Sequence, residues 1–68
     1  MNLIARKEYP ALDYILWDTA AEQIPAERAF HLYEKRWKYI DAQQLTGKER
    51  NLIDRLTQII GHGLFLAA

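Results

Sequence analysis

The 68 residues make one domain at most, and a domain of that size buries only about 60% of the surface its unfolded chain exposes. Cysteine is absent, which excludes disulfide stapling and thiolate zinc sites, and nine basic residues balance nine acidic ones, which excludes a strong whole-molecule field for steering nucleic acid. Half of the residues are apolar and 12% are aromatic, too many for a disordered chain.

Met1 to Glu8 mix Leu3 and Ile4 with Arg6, Lys7 and Glu8, and Pro10 limits any helix continuing through them, so residues 1–9 read as an N-terminal arm. Pro10 suits the first turn of a helix, with Asp13 near its positive end, and a first helix is predicted near 10–18. At 100° per residue Leu12, Ile15 and Leu16 share one face while Tyr14 and Trp17 point to another. A short helix that is apolar on two sides needs two partners, one of them the domain's own core.

Thr19 to Gln23 form a polar connection, and Pro25 then opens a second helix near 25–40 with Glu27 at its dipole-favoured end. Ala26, Phe30, Tyr33, Trp37 and Ile40, with Ala29 beside them, form one stripe at 4-3-4-3 spacing that reads as core. Leu32 and Tyr39 lie about 120° round from that stripe, among Arg28, Lys35 and Arg36, as a secondary edge where a partner could dock. Residues 41–46 are a short connection suited to antiparallel helices. Thr46 and Glu49 spell a Thr-x-x-Glu capping box for a third helix near 47–60, in which each side chain can satisfy a backbone donor. Leu52, Ile53, Leu56, Ile59 and Ile60 give that helix its apolar arc, Gly61 stops it, and residues 61–68 form an apolar tail that must fold back or find another surface. Valine is absent and no stretch alternates strictly between apolar and polar residues, so the expected fold is all-α, one small three-helix domain over residues 1–68 with helices two and three as an antiparallel hairpin.

Three short stretches resemble known families. Leu45-Thr46-Gly47-Lys48-Glu49-Arg50-Asn51-Leu52-Ile53 resembles the opening of the DNA-binding domain of LuxR-type regulators over about nine residues, with Ile53 for the final Leu. The resemblance implies further helices, one reading the groove, and only the tail follows Gly61, so the pattern is taken as capping chemistry. Arg55 and His62 are spaced like the Arg-x4-6-His motif of HEPN ribonucleases, with Leu56 where that family usually has a polar residue. Leu66-Ala67-Ala68 resembles the end of the degradation tag that bacterial trans-translation adds for ClpX-type proteases, a property suited to a short-lived antitoxin or timed regulator.

Catalytic, cofactor and metal sites are all expected to be absent. Without serine or cysteine the commonest nucleophiles are missing, and a chain this short has little room for a water-excluding pocket. His31 and His62 fall on different predicted elements, and nothing gives Asp13, Asp18, Glu22 or Asp41 a ligand-like spacing. The strip Tyr33-Glu34-Lys35-Arg36-Trp37-Lys38-Tyr39 combines phosphate-pairing and base-stacking side chains, but Tyr33 and Trp37 belong to the core stripe, and zero net charge weighs against nucleic acid as the main partner. The surplus apolar surface points to a non-enzymatic protein–protein interaction module, self-associating as a homodimer or bound to a protein partner, with Tyr14, Trp17, Arg36, Tyr39 and Phe65 as interface anchors. The alternative is a bacterial antitoxin-type or DNA-associated small regulator acting as a dimer. A cytoplasmic location is expected from the lack of cysteine, of a leader-like opening and of an apolar run of about 18 to 20 residues, which rules out a membrane partner.

Overall fold

The computed structural model describes residues 3–67; Met1, Asn2 and Ala68, at the ends of the predicted arm and tail, lie outside the described residues. The elements run β1 (Leu3–Ala5), a 3-10 turn (Arg6–Glu8), α1 (Pro10–Ile15), β2 (Gln23–Pro25), α2 (Ala26–Arg36), 3-10 turns at Trp37–Tyr39 and Ala42–Gln44, and α3 (Gly47–Ile59). Among the described residues no helix is long and apolar enough to cross a membrane.

The all-α expectation is overturned by the two strands, which pair as an antiparallel sheet with Leu3 opposite Pro25, Ile4 opposite Ile24 and Ala5 opposite Gln23. The fold is mostly helical but mixed. Each strand has three residues and buries one, Ile4 or Ile24, so neither is long enough to display an alternation. Within the predicted arm Leu3–Ala5 and the following turn are built into the fold, with the Arg6 amide donating to the Glu22 carbonyl at 3.1 Å. Pro25 ends β2 and stands just outside α2 as its cap residue, one position earlier than a first-turn proline.

Helix α1 has six residues, far too few to hold together on local hydrogen bonds. Its ends are held instead by two buried charged side chains. Pro10 has no amide to satisfy, the Ala11 and Leu12 amides donate to the Glu49 carboxylate at 3.0 and 2.8 Å, and the Asp13 amide donates to the Tyr9 carbonyl at 2.9 Å. At the other end the Arg6 guanidinium donates to the Asp13 and Leu16 carbonyls at 3.1 and 2.9 Å, and to the Asp13 carboxylate at 2.7 Å. It also donates to the carbonyls of Thr19 and of Ala21, the latter at 3.1 Å, which folds the connection to β2 around one cation. An anion at the N-terminus and a cation at the C-terminus both match the helix dipole. Among the described residues no buried side-chain nitrogen or oxygen lacks a partner.

The predicted capping box is half realised. Thr46 caps α3 by accepting from the Glu49 amide at 3.1 Å, but the Glu49 side chain reaches α1 and the Tyr33 hydroxyl, which donates to it at 2.7 Å, so Thr46 gains no return bond from it. Burial, followed by that hydrogen bond and the charge of Glu49, raises the Tyr33 pKa well above its ordinary 10.0. A raised folded-state pKa means that the stability tied to the neutral phenol is complete below pH 10 and is lost as pH rises beyond it. Alkaline unfolding of the parent is therefore expected to set in from about pH 10. Tyr33→Phe should be less stable at neutral pH by about 1–3 kcal/mol and show a flatter alkaline limb. Matching alkaline limbs for parent and variant would count against this role.

The core joins Ile4 and Ile24 to Leu12, Ile15 and Leu16 of the α1 region, Ala26, Ala29, Phe30 and Tyr33 of α2, and Leu52, Ile53 and Leu56 of α3. Trp37 and Ile40 continue the α2 stripe only as half-buried residues, because α2 tightens into a 3-10 turn at Trp37. Ile59 has the angle of the buried arc yet is 60% exposed. It stands at the edge of the arc, whereas the next residue, Ile60, is half-buried against the core.

The tail folds back. The Gly63 amide donates to the Thr57 carbonyl at 2.9 Å, and the Phe65 ring packs edge-on against Trp37 and Phe30, with centroids 5.1 and 5.9 Å away. The turn depends on Gly61, where a Cβ would overlap the Leu64 carbonyl oxygen and stand 2.6 Å from the Phe30 ring. Gly61→Ala should lower stability by about 1–3 kcal/mol through overpacking. Thermal unfolding within a degree of the parent would show that the tail can dock elsewhere.

Candidate functional site

The ends of α1 and α2 meet on one side of the molecule. Leu16, at φ −94° and ψ 37°, leaves the helix, and the turn that follows carries Trp17 and Asp18 outward. Arg36, the last residue of α2, reaches across to that turn. It donates to the Ile15 carbonyl at 2.7 Å and forms a two-point pair with the Asp18 carboxylate at 3.1 and 2.8 Å. The same guanidinium lies 4.3 Å from the centre of the Trp17 ring, within cation–π range. The hydrogen bonds from Arg36, reinforced by its charge, hold the Asp18 carboxyl well below the usual carboxylate range, so the pair stays ionised in mild acid.

Trp17 is thereby fixed from behind while its outer face stays open. Tyr14 meets it edge-on at 6.4 Å, and Tyr39, from the turn after α2, meets it edge-on at 5.3 Å. Tyr14, Trp17 and Tyr39 are 63%, 56% and 50% exposed. Single exposed apolar residues are ordinary on a small protein, whereas three aromatic rings joined through Trp17 form a contiguous patch of the kind that marks an interaction surface. Beside it lies a groove of about 290 Å³, where the half-buried Ala11, Ile40 and Leu45 are flanked by exposed Tyr14, Tyr39, Asp41 and Gln44.

Of the five residues singled out from sequence, Tyr14, Trp17, Arg36 and Tyr39 come together here. Phe65 does not join them; its ring partners are Phe30 and Trp37, and it anchors the tail. Sequence reasoning missed Asp18, which orients Arg36, and the groove residues Ile40 and Leu45. Asp18 and Arg36 are 18 positions apart, and no local pattern links them.

A second surface follows the exposed flank of α2, where Arg28, His31, Leu32 and Lys35 line a shallow, open depression of about 640 Å³. Among the described residues neither Arg28 nor Lys35 has an ion-pair partner. No group of three or more His, Asp or Glu side chains among the described residues could hold a metal ion.

No protein-family model matches the chain, and neither a curated protein nor a solved structure does.

Proposed function

We propose that the protein is a non-catalytic interaction module, acting in the cytoplasm, which binds protein through the Tyr14–Trp17–Tyr39 face. The observation behind this reading is the preorganised indole: Trp17 is more than half exposed, yet stacked on Arg36 and braced by two tyrosines. A rigid aromatic gives large contact area at little loss of conformational freedom, and Trp, Tyr and Arg are the types enriched at binding hot spots. The lack of cysteine agrees with a reducing compartment.

The test compares Trp17→Ala with Leu3→Ala, a control at an equally exposed apolar residue outside the patch. Association is read both as self-association by light scattering and as proteins retained from a cell extract on the immobilised chain. Trp17→Ala should weaken whichever association the parent shows by at least about 30-fold, as truncation of a hot spot does, while Leu3→Ala leaves it intact. Equal association by Trp17→Ala and parent would sink the reading.

The second reading is a dimeric antitoxin-type or DNA-associated regulator, favoured by Arg28 and Lys35, neither of which has an ion-pair partner among the described residues, beside His31 on α2. It requires duplex DNA binding that weakens steeply with salt. The first reading requires none.

A further inference from the structure

The aromatic face carries both halves of a self-complementary contact. Trp17 is a projecting ring that does not line the groove, while Tyr14 and Tyr39 touch Trp17 on one side and line the groove on the other. A two-fold axis between Trp17 and the groove, beside Tyr14 and Tyr39, would bring the indole of one copy to the groove of the other, twice over. We propose that this face pairs with the same face of a second copy about such an axis, each Trp17 seated in the partner's groove against Ile40 and Leu45. The proposal rests on the binding-face reading above and names its occupant.

Charge favours a second copy, and the exposed area leaves room for one. Lys38 lies with its Nζ 5.3 Å from the centre of the Tyr39 ring, and Asp41 borders the groove that the same ring lines. Both are exposed, and among the described residues neither has an ion-pair partner. In the proposed pairing Lys38 of each copy faces Asp41 of the other, giving two opposite-charge contacts. Arg36 and Asp18 neutralise each other within one chain, and the chain as a whole has no net charge, so two copies do not repel. A stable interface takes about 800 Å² from each partner, under a fifth of the 4539 Å² that the protein exposes. Three aromatic side chains left half open supply roughly 300 Å² of it, since such side chains bury about 150–250 Å² each when covered.

The decisive experiment is charge reversal with mixing, read as mass by sedimentation from micromolar to millimolar concentration, with circular dichroism confirming folding. The parent should dimerise. Lys38→Asp sets two acidic pairs across the axis and Asp41→Lys two basic ones, so each alone should weaken dimerisation at least about tenfold. Mixed in equal amounts, the two variants place Asp opposite Lys at both contacts and should form a heterodimer near parental affinity. Asp41→Lys also removes the acceptor for the Gln43 amide, 3.1 Å away, but local disturbance of that turn would not be repaired by mixing. A mixture that stays monomeric, or single variants that dimerise like the parent, would overturn the two-fold arrangement. A parent that remains monomeric throughout would overturn the second copy as occupant. In that case Trp17-dependent retention of a foreign protein would leave the binding-face reading standing, and its absence would remove both.

Discussion

Glu49→Ala is expected to leave much of the protein unfolded at 25 °C. The residue is 1% exposed, and its two oxygens accept from the Ala11 amide, the Leu12 amide and the Tyr33 hydroxyl. Deleting the carboxylate strands two buried donors and a part-buried one, belonging to two helices. At the lower end of the range for unsatisfied buried groups, about 1–3 kcal/mol each, the loss sums to about 3–5 kcal/mol. A single core in a chain of this size rarely supplies more than about 3–5 kcal/mol in total. Glu49→Gln should be milder. Its carbonyl oxygen can take the place of Oε2 and keep Leu12 and Tyr33, but its NH₂ then faces the Ala11 N–H, a clash of donors worth about 1–3 kcal/mol. Urea unfolding followed by circular dichroism gives both values. If Glu49→Ala stays within about 0.5 kcal/mol of the parent, the range of an ordinary surface change, Glu49 does not hold α1 in place.

The same residue shows what the sequence carries and where it stops. Thr46 announced the start of α3 because an N-cap and the amide it accepts from are three residues apart and need no tertiary knowledge. The use of the Glu49 side chain spans 37 and 38 positions, to Leu12 and Ala11, and the local pattern offered it a nearer partner that lost. Tyr14 was legible as an outward residue because 100° per residue puts it opposite Leu12 and Ile15, whereas Trp17 is outward through the turn that follows α1. Their meeting with Tyr39 and Arg36 was not legible, since it depends on how the ends of two helices are brought together. The strands escaped for a different reason. A three-residue strand has one inward side chain, and its stability lies in a pairing across about 20 residues of chain, so Leu3–Ala5 looks like an arm and Gln23–Pro25 like a linker.

Arg6→Ala should destabilise the protein by about 3 kcal/mol, the lower end for breaking a buried ion pair, because Asp13 keeps about a third of its side-chain surface in water. The loss is not one ion pair alone. Arg6 satisfies the carbonyls of Asp13, Leu16, Thr19 and Ala21 together, so its removal frees both the end of α1 and the chain leading to β2. Arg6→Lys should recover less than half of the stability, since an ammonium offers three donors at a point, whereas the guanidinium spreads five over a rigid fork. The consequence extends to the candidate binding face. Trp17 and Asp18 sit in the segment that Arg6 gathers from behind, and the stacking of Arg36 on Trp17 requires that segment to hold its place. Amide hydrogen exchange should therefore speed up at Thr19, whose amide donates to the Leu16 carbonyl, in Arg6→Lys before any global unfolding. Self-association through Trp17 should weaken in the same variant even where circular dichroism shows an intact fold. A variant that loses stability but keeps parental exchange at Thr19 and parental association would confine Arg6 to the core and separate the buried cation from the surface it is argued to support.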